Sequence, residues 1–428
     1  MQHQPKHFYS FFFNRFQILR HSLLLPLRLL LCALIILGSF NPAFSKGPEP
    51  KAKKWVGTWG TAPQLVEPNN MPPAPGLSNN TLRQVVCVSI GGKKLRLKFS
   101  NMFGKSPVTM KAVQIAVSKG GSAIDESTSK TIKFNGQPEV TLEPGTEITS
   151  DVVSFNLKPR MEVAITIAFG EISPTLTGHP GSRTTSYILT GNQTSPNTDF
   201  TNAVKTDHWY FITGIDVEAS KSSAAVAIIG DSITDGRGSG TNKQNRWPDI
   251  LAMRLLENGD TKRIAVLNMG IGGNTVLRGG LGPTALTRFN HDILQQQGVK
   301  WLIIFEGVND LGSTRDSAAA FNVAKNLIVA YDTMITKAHA QGMKVYGVTI
   351  TPFKKAGYYT PYRDAARNQI NEWVRNSGHF DAVIDFDKAI RDPQDAATIL
   401  AEAQSDYLHP NELGYQMMGK AIDLSLFK

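Results

Sequence analysis

From Trp55 to about Asp216 the chain reads as β structure. Short runs such as Leu95–Phe99 (LRLKF), Val113–Val117 (VQIAV), Thr131–Phe134 (TIKF) and Val163–Phe169 (VAITIAF) alternate apolar and polar residues or are rich in β-branched ones. Turn signals separate them at Gly91-Gly92, Asn135-Gly136 and Pro144-Gly145. No helical period interrupts this stretch, so an all-β sandwich or jelly roll is expected over residues 55–220. After Glu218–Lys221 the texture changes. Ala224–Ile229 (AAVAII) is a continuous apolar run, the pattern of a strand buried on both faces. A helical segment near Trp247–Leu256 follows, and the alternation then repeats. Apolar strands are expected at Ile264–Leu267, Trp301–Phe305, Val345–Ile350 and Ala382–Phe386, with Asp316–His339 the clearest helix. Residues 221–428 therefore predict an α/β domain with a mainly parallel sheet between helical layers.

The N-terminus follows a different pattern. Lys6, Arg15, Arg20 and Arg28 form a basic flank without acids, followed by the apolar run Leu29–Phe40 and a small-residue site at Ala43-Phe44-Ser45. This predicts an export signal over residues 1–45, with a Lys/Pro-rich leader at 46–54. The apolar run is short for a membrane span, so no stable insertion is expected after cleavage, with an uncleaved anchor as the alternative reading. Losing those four basic residues takes the net charge from +10 to +6. No basic stripe interleaved with aromatics is present, so nucleic-acid partners are not expected. Of the two cysteines, Cys32 lies in the signal, without the preceding small residue of a lipid-attachment site. Cys87 lies in the apolar run VVCVSI and reads as a core residue, so no internal disulfide is expected.

In open α/β sheets functional groups collect beyond the carboxyl ends of the strands. Those positions hold Gly230–Gly236 (GDSITDG), Asn268–Asn274 (NMGIGGN), Glu306–Asp310 (EGVND) and Asp406–Asn411 (DYLHPN). A serine hydroxyl needs a base to become a nucleophile, and the base needs an acceptor to orient it. Ser232 at a strand-to-helix turn supplies the first, and His409 with Asp406 three residues before it supplies the other two. The Ser232 and Gly273 N–H groups and the Asn309 amide are candidate donors to an oxyanion.

These four ordered blocks resemble the GDSL/SGNH hydrolases, a family of serine esterases and lipases with a three-layer α/β/α domain. The resemblance spans roughly residues 224–428. It implies that Ser232 is the nucleophile, that His409 and Asp406 complete the triad, and that Ser232, Gly273 and Asn309 form the oxyanion hole. Gly270 and Gly272 are alternatives for the glycine role; Gly273 fits the family spacing, five residues after Asn268. The stretches WVGTWGTAPQ, NRWPDILAMRL, RFNHDIL and AHAQGMKVYGVTITPF are similar to a branch associated with xylan-acetyl esterases, which carries an extra N-terminal β domain. Short acyl esters of carbohydrates, including acetylated polysaccharides, are the substrates this implies, with no cofactor or metal. The rivals are a lipase or lysophospholipase acting on longer chains, and a carbohydrate- or envelope-binding protein.

Competing chemistries lack their residues. A dinucleotide fingerprint starting at Gly270 needs glycine where Thr275 stands, and no HxH, HExxH or GxSxG occurs. Asp231 and Asp310 read as local hydrogen-bonding residues, and Glu306 as a lesser candidate for the site. Trp55, Trp59 and Tyr187 read as core packing rather than a sugar platform.

Overall fold

Strand alternation in the β-rich part separates charge from core residue by residue. In strand Gly92–Ser100, Leu95, Leu97 and Phe99 are fully buried while Lys94, Arg96 and Lys98 point outward. The computed structural model describes residues 53–428; the expected signal over 1–45, most of the leader and Cys32 lie outside the described residues. Strand Gly92–Ser100 belongs to a five-stranded antiparallel sheet with strands Lys53–Gly60, Ile212–Ser220, Glu147–Thr149 and Val153–Leu157. A seven-stranded antiparallel sheet contains Thr81–Cys87, Glu162–Phe169 and Val108–Ser118 in order. Val86, Val113, Ile115, Ile165 and Ile167 from this second sheet share one apolar interior with Leu95, Leu97 and Phe99 from the first. Each such side chain contributes roughly 1.5–3 kcal/mol by leaving water. Asn135 and Gly136, at φ 51° and 82°, make the tight turn that their sequence signals.

The second half is a five-stranded parallel sheet formed by β1 (Ala224–Gly230), β2 (Ile264–Gly270), β3 (Val299–Phe305), β4 (Lys344–Val348) and β5 (Ala382–Ile384). Their spatial order is β2-β1-β3-β4-β5. Every residue of β1 is buried, as its unbroken apolar run requires. Helices cover both faces. Val226, Ile228 and Phe305 pack with Trp247 and Leu251 of α2 (Trp247–Glu257), and with Tyr415 and Met418 near the C-terminus. Ala227, Ile304 and Val345 pack on the opposite face, with Leu327 and Met334 from the long helix Ser317–His339. Asp316 caps that helix by accepting from the Ala319 N–H at 2.8 Å. The chain adds β2 on one side of β1 and β3 on the other, so the loops after β1 and β3 face a common crevice.

The two architectures meet along β2, at the edge of the parallel sheet. The Ser89 hydroxyl donates to the Val266 carbonyl at 3.0 Å and accepts from its N–H at 3.1 Å, occupying backbone groups that an edge strand leaves open. Strand Lys53–Gly60 lies against β2 so closely that a Cβ at Gly57 would sit 2.9 Å from Leu267, and one at Gly60 2.6 Å from Met269. Lys51–Lys428 consequently cluster as one compact unit.

Several sequence boundaries shift. Asn268, Met269 and Gly270 belong to β2 rather than to the loop beyond it, because they keep pairing with Ile228, Ile229 and Gly230. Asn309 and Asp310 lie on a short helix, not in a loop. β4 stops at Val348 and β5 at Ile384; Asp385 then caps a helix beginning at Phe386, its carboxylate accepting from the Lys388 N–H. Trp59 and Tyr187 are buried, Trp59 edge-on to Trp209 at 5.0 Å, and Arg96 covers the ring of Trp55. Cys87 is buried on its strand, its thiol pushed up to about 12 by that burial. Among the described residues no helix is long and apolar enough to cross a membrane.

Candidate active site

β1 ends at Gly230, where a Cβ would lie 2.2 Å from Thr234 Oγ1 and 3.0 Å from the Phe305 carbonyl. Glycine there lets the chain turn at once into α1 (Ser232–Asp235). Asp231 caps the turn, its carboxylate accepting from the Ile233 N–H at 2.9 Å, and Gly236 ends it in the left-handed region at φ 102°. Ser232, the first helical residue, is thereby held at the carboxyl end of the sheet.

Ser232 Oγ lies 2.9 Å from His409 Nε2. On the far side of the ring, His409 Nδ1 lies 2.8 Å from Asp406 Oδ2. That carboxylate also accepts from the backbone N–H groups of His409 (2.8 Å) and Leu408 (3.1 Å), so one short loop fixes both partners. With Nδ1–H donating to Asp406, Nε2 is the free base facing the serine. Burial pulls the His409 imidazole below its ordinary value, and the Arg237 and Arg183 charges act in the same direction; Asp406 opposes them. Burial raises the Asp406 carboxyl, but its hydrogen bonds to His409 outweigh this and hold it below the usual carboxylate range.

The candidate oxyanion donors border the same pocket, of about 360 Å³. Gly273 adopts φ 70°, a conformation that favours glycine, in the loop after β2. Asn309 Nδ2 donates to the Asn274 carbonyl at 2.8 Å, which leaves its second N–H available. Of the alternative glycines, Gly272 also borders the pocket. Gly270 instead packs under α1, where a Cβ would meet the Asp235 backbone nitrogen at 2.5 Å.

Beneath this surface lies a buried ionic cluster that the sequence pattern does not disclose. Arg288, 3% exposed, donates to the carbonyls of Gly230 (3.1 Å) and Met269 (2.6 Å) and to Asn274 Oδ1 (3.0 Å). It also pairs with Asp292 at 2.9 Å and Glu306 at 3.3 Å. One guanidinium thus ties the ends of β1, β2 and β3 together. Glu306 belongs to this cluster and does not border the pocket, which removes it as a site candidate. Burial raises Glu306 well above the usual carboxylate range and Asp231 to about 7. Asp310 rises to about 6 by burial, although its carboxylate accepts from the Val276 and Leu277 N–H groups and so shapes the loop that carries Gly273.

The β-rich part supplies a wall of the pocket through Gln64, Glu67, Asn70, Arg183 and His208. A buried pair, His179 Nε2 to Asp235 Oδ1 at 2.8 Å, anchors that wall to α1. Neither feature was legible from motif spacing, since Asp235 and Gln64 lie in recognisable stretches but His179, Arg183 and His208 come from distant segments of the chain. Among the described residues no group of three or more His, Cys, Asp or Glu is placed to hold a metal ion.

Residues 228–417 match the model of the GDSL-like Lipase/Acylhydrolase family. That segment is a GDSL-like lipase/acylhydrolase domain, and it supports an ester hydrolase activity. Similar solved structures include a member of the lipolytic G-D-S-L family from Veillonella parvula DSM 2008 (20% identity, 46% of this chain and 96% of that one, TM-score 0.35). A GDSL-like lipase from Bacteroides thetaiotaomicron VPI-5482 shares 17% identity over 47% of this chain and 87% of that one, with a TM-score of 0.35. An acetyl xylan esterase, AlAXEase, shares 20% identity over 46% of this chain and 96% of that one, with a TM-score of 0.34. No curated protein matches the chain.

Proposed function

We propose that this chain is an exported serine esterase that removes short acyl groups, acetyl above all, from carbohydrates through an acyl-enzyme on Ser232. The observation that carries the reading is the continuous chain Ser232 Oγ, His409 Nε2, His409 Nδ1, Asp406 Oδ2, with contacts of 2.9 and 2.8 Å at the edge of the pocket. His409 takes the hydroxyl proton as Ser232 attacks the ester carbonyl. The Ser232 and Gly273 N–H groups and the Asn309 amide hold the oxygen on which charge develops. His409 then returns the proton to the departing alcohol. A water, deprotonated by the same nitrogen, hydrolyses the acyl-enzyme and frees the serine.

Polarity of the pocket favours a sugar-like alcohol over a long acyl chain. Gln64, Asn70 and His208 border it, against Leu281 and Leu408 as the larger apolar side chains. A fatty chain needs a continuous apolar groove. Hydrolysis of p-nitrophenyl esters from acetate to palmitate tests the reading, with the Ser232→Ala protein as control. Serine-dependent rates falling steeply beyond butyrate support it. A maximum at long chains favours a lipase, and the absence of hydrolysis across the series favours a binding protein. Export through residues 1–45 predicts a mature N-terminus near Lys46, readable from the mass of the exported protein.

A further inference from the structure

Two arginines at the catalytic pocket have no counter-ion. Arg183 reaches it from the β-rich part and Arg237 from just beyond α1. Among the described residues neither side chain forms a salt bridge or hydrogen bond, and Arg183 Nε is buried without a partner. The acidic groups around the same pocket are already engaged. Glu67 accepts from Gln64 and Asn70, Asp235 faces His179, and Asp406 faces His409. Arg183 also holds φ 51°, a left-handed conformation that disfavours a side chain, yet arginine stands there rather than glycine.

Unpaired cations beside a catalytic histidine work against the reaction. Both charges disfavour a proton on His409, which must become an imidazolium in the transition state. A negative group on the substrate reverses this effect while supplying the missing partner for the guanidiniums. Arg183 and Arg237 border the same pocket as His409, the group that protonates the departing alcohol, so the anion is assigned to the alcohol side of the ester.

Building on the esterase reading, we propose that Arg183 and Arg237 form a subsite for an anionic oxyacid group, carboxylate or phosphate, carried by the alcohol portion of the ester. Within carbohydrates this selects acidic sugars over neutral ones. Charge-assisted pairs of this kind support a preference of roughly 10- to 100-fold.

The test uses the full-length protein and three acetyl esters: 4-acetoxybenzoate, its methyl ester and 4-acetoxyphenyl phosphate. For each anion the quantity read is its kcat/KM relative to that of the neutral methyl ester, in wild type, Arg183→Gln and Arg237→Gln. Taking the ratio within each variant cancels a general loss of activity or of folded protein. A ratio that falls tenfold or more in either variant supports the subsite. Dependence seen with the carboxylate alone assigns an acidic sugar, and with the phosphate alone a phosphorylated alcohol. Ratios unchanged in both variants overturn the proposal. A second reading needs no variant, because the wild-type ratio should fall several-fold between about 20 mM and 500 mM NaCl through screening; a salt-independent ratio contradicts the subsite. If even the neutral ester is hydrolysed no faster by wild type than by Ser232→Ala, the underlying esterase reading fails instead.

Discussion

The Tyr358 hydroxyl donates to Asn309 Oδ1 at 3.0 Å. With Oδ1 so engaged and Nδ2 on the Asn274 carbonyl, the Asn309 amide cannot turn its oxygen toward the pocket, and its remaining N–H is presented in advance. Asn309→Ala should therefore cost on the order of 100- to 1,000-fold in kcat with little change in KM, since the bond forms only as charge develops. Tyr358→Phe keeps the donor but loosens it, and should cost about tenfold in the same assay. Equal losses in both variants would place Tyr358 in direct contact with the substrate.

Arg288 pairs with both Asp292 and Glu306, and Asp292 also takes His291 Nδ1 at 2.6 Å. Arg288→Met leaves Glu306 without its charge partner and Asp292 with His291 alone, while the ends of three strands lose a common donor. The expected destabilisation is about 3–5 kcal/mol, read from urea unfolding. A change under about 1 kcal/mol would mean that the cluster stays neutral and contributes little.

The strand pattern revealed the parallel sheet and the nucleophile turn because both are local. β1 is an unbroken apolar run, and Gly-Asp-Ser follows directly at its end. The Asp406–His409 spacing was equally visible, since both belong to one loop. Arg288 was not, although it stands in a stretch singled out for its resemblance, because its partners Gly230, Met269 and Glu306 come from three other segments. Arg183 and His208 were missed for the same reason. They reach the pocket through packing of the β-rich part on β2, and neither periodicity nor motif spacing encodes a contact between distant halves of the chain. The third block misled locally: Val308 to Gly312 curl into a helix, behind a glycine at φ 114° where a loop had been expected.

Acid sensitivity follows from His409. It must be neutral to accept the serine proton, so kcat/KM falls as pH drops through its pKa. Burial and the two arginines lower that pKa from its ordinary 6.5, so the acid limb of the profile should lie below pH 6.5. Asp406 pulls the other way, so Asp406→Asn should move the limb further toward acid while slowing turnover by roughly 10³- to 10⁴-fold. A limb above pH 6.5 in wild type would contradict this electrostatic balance.

Glycines 270 and 272 should respond differently to a methyl group. At Gly270 a Cβ meets the Asp235 backbone nitrogen at 2.5 Å, so α1 must shift off β2 and carry Ser232 with it. Gly270→Ala should cost about 1–3 kcal/mol in stability and at least tenfold in activity. At Gly272 the nearest atom is Asp235 Oδ2 at 3.5 Å, an ordinary contact, and Gly272→Ala should change stability by less than about 0.5 kcal/mol. Melting temperatures of the two variants check the contrast.

The most direct test of the mechanism is to label the protein with a fluorophosphonate and locate the adduct by peptide mass spectrometry. The mechanism predicts one adduct per chain, on Ser232, with hydrolysis lost in proportion to labelling and no adduct in the Ser232→Ala protein. A label on another residue, or full hydrolysis by the Ser232→Ala protein, would contradict it.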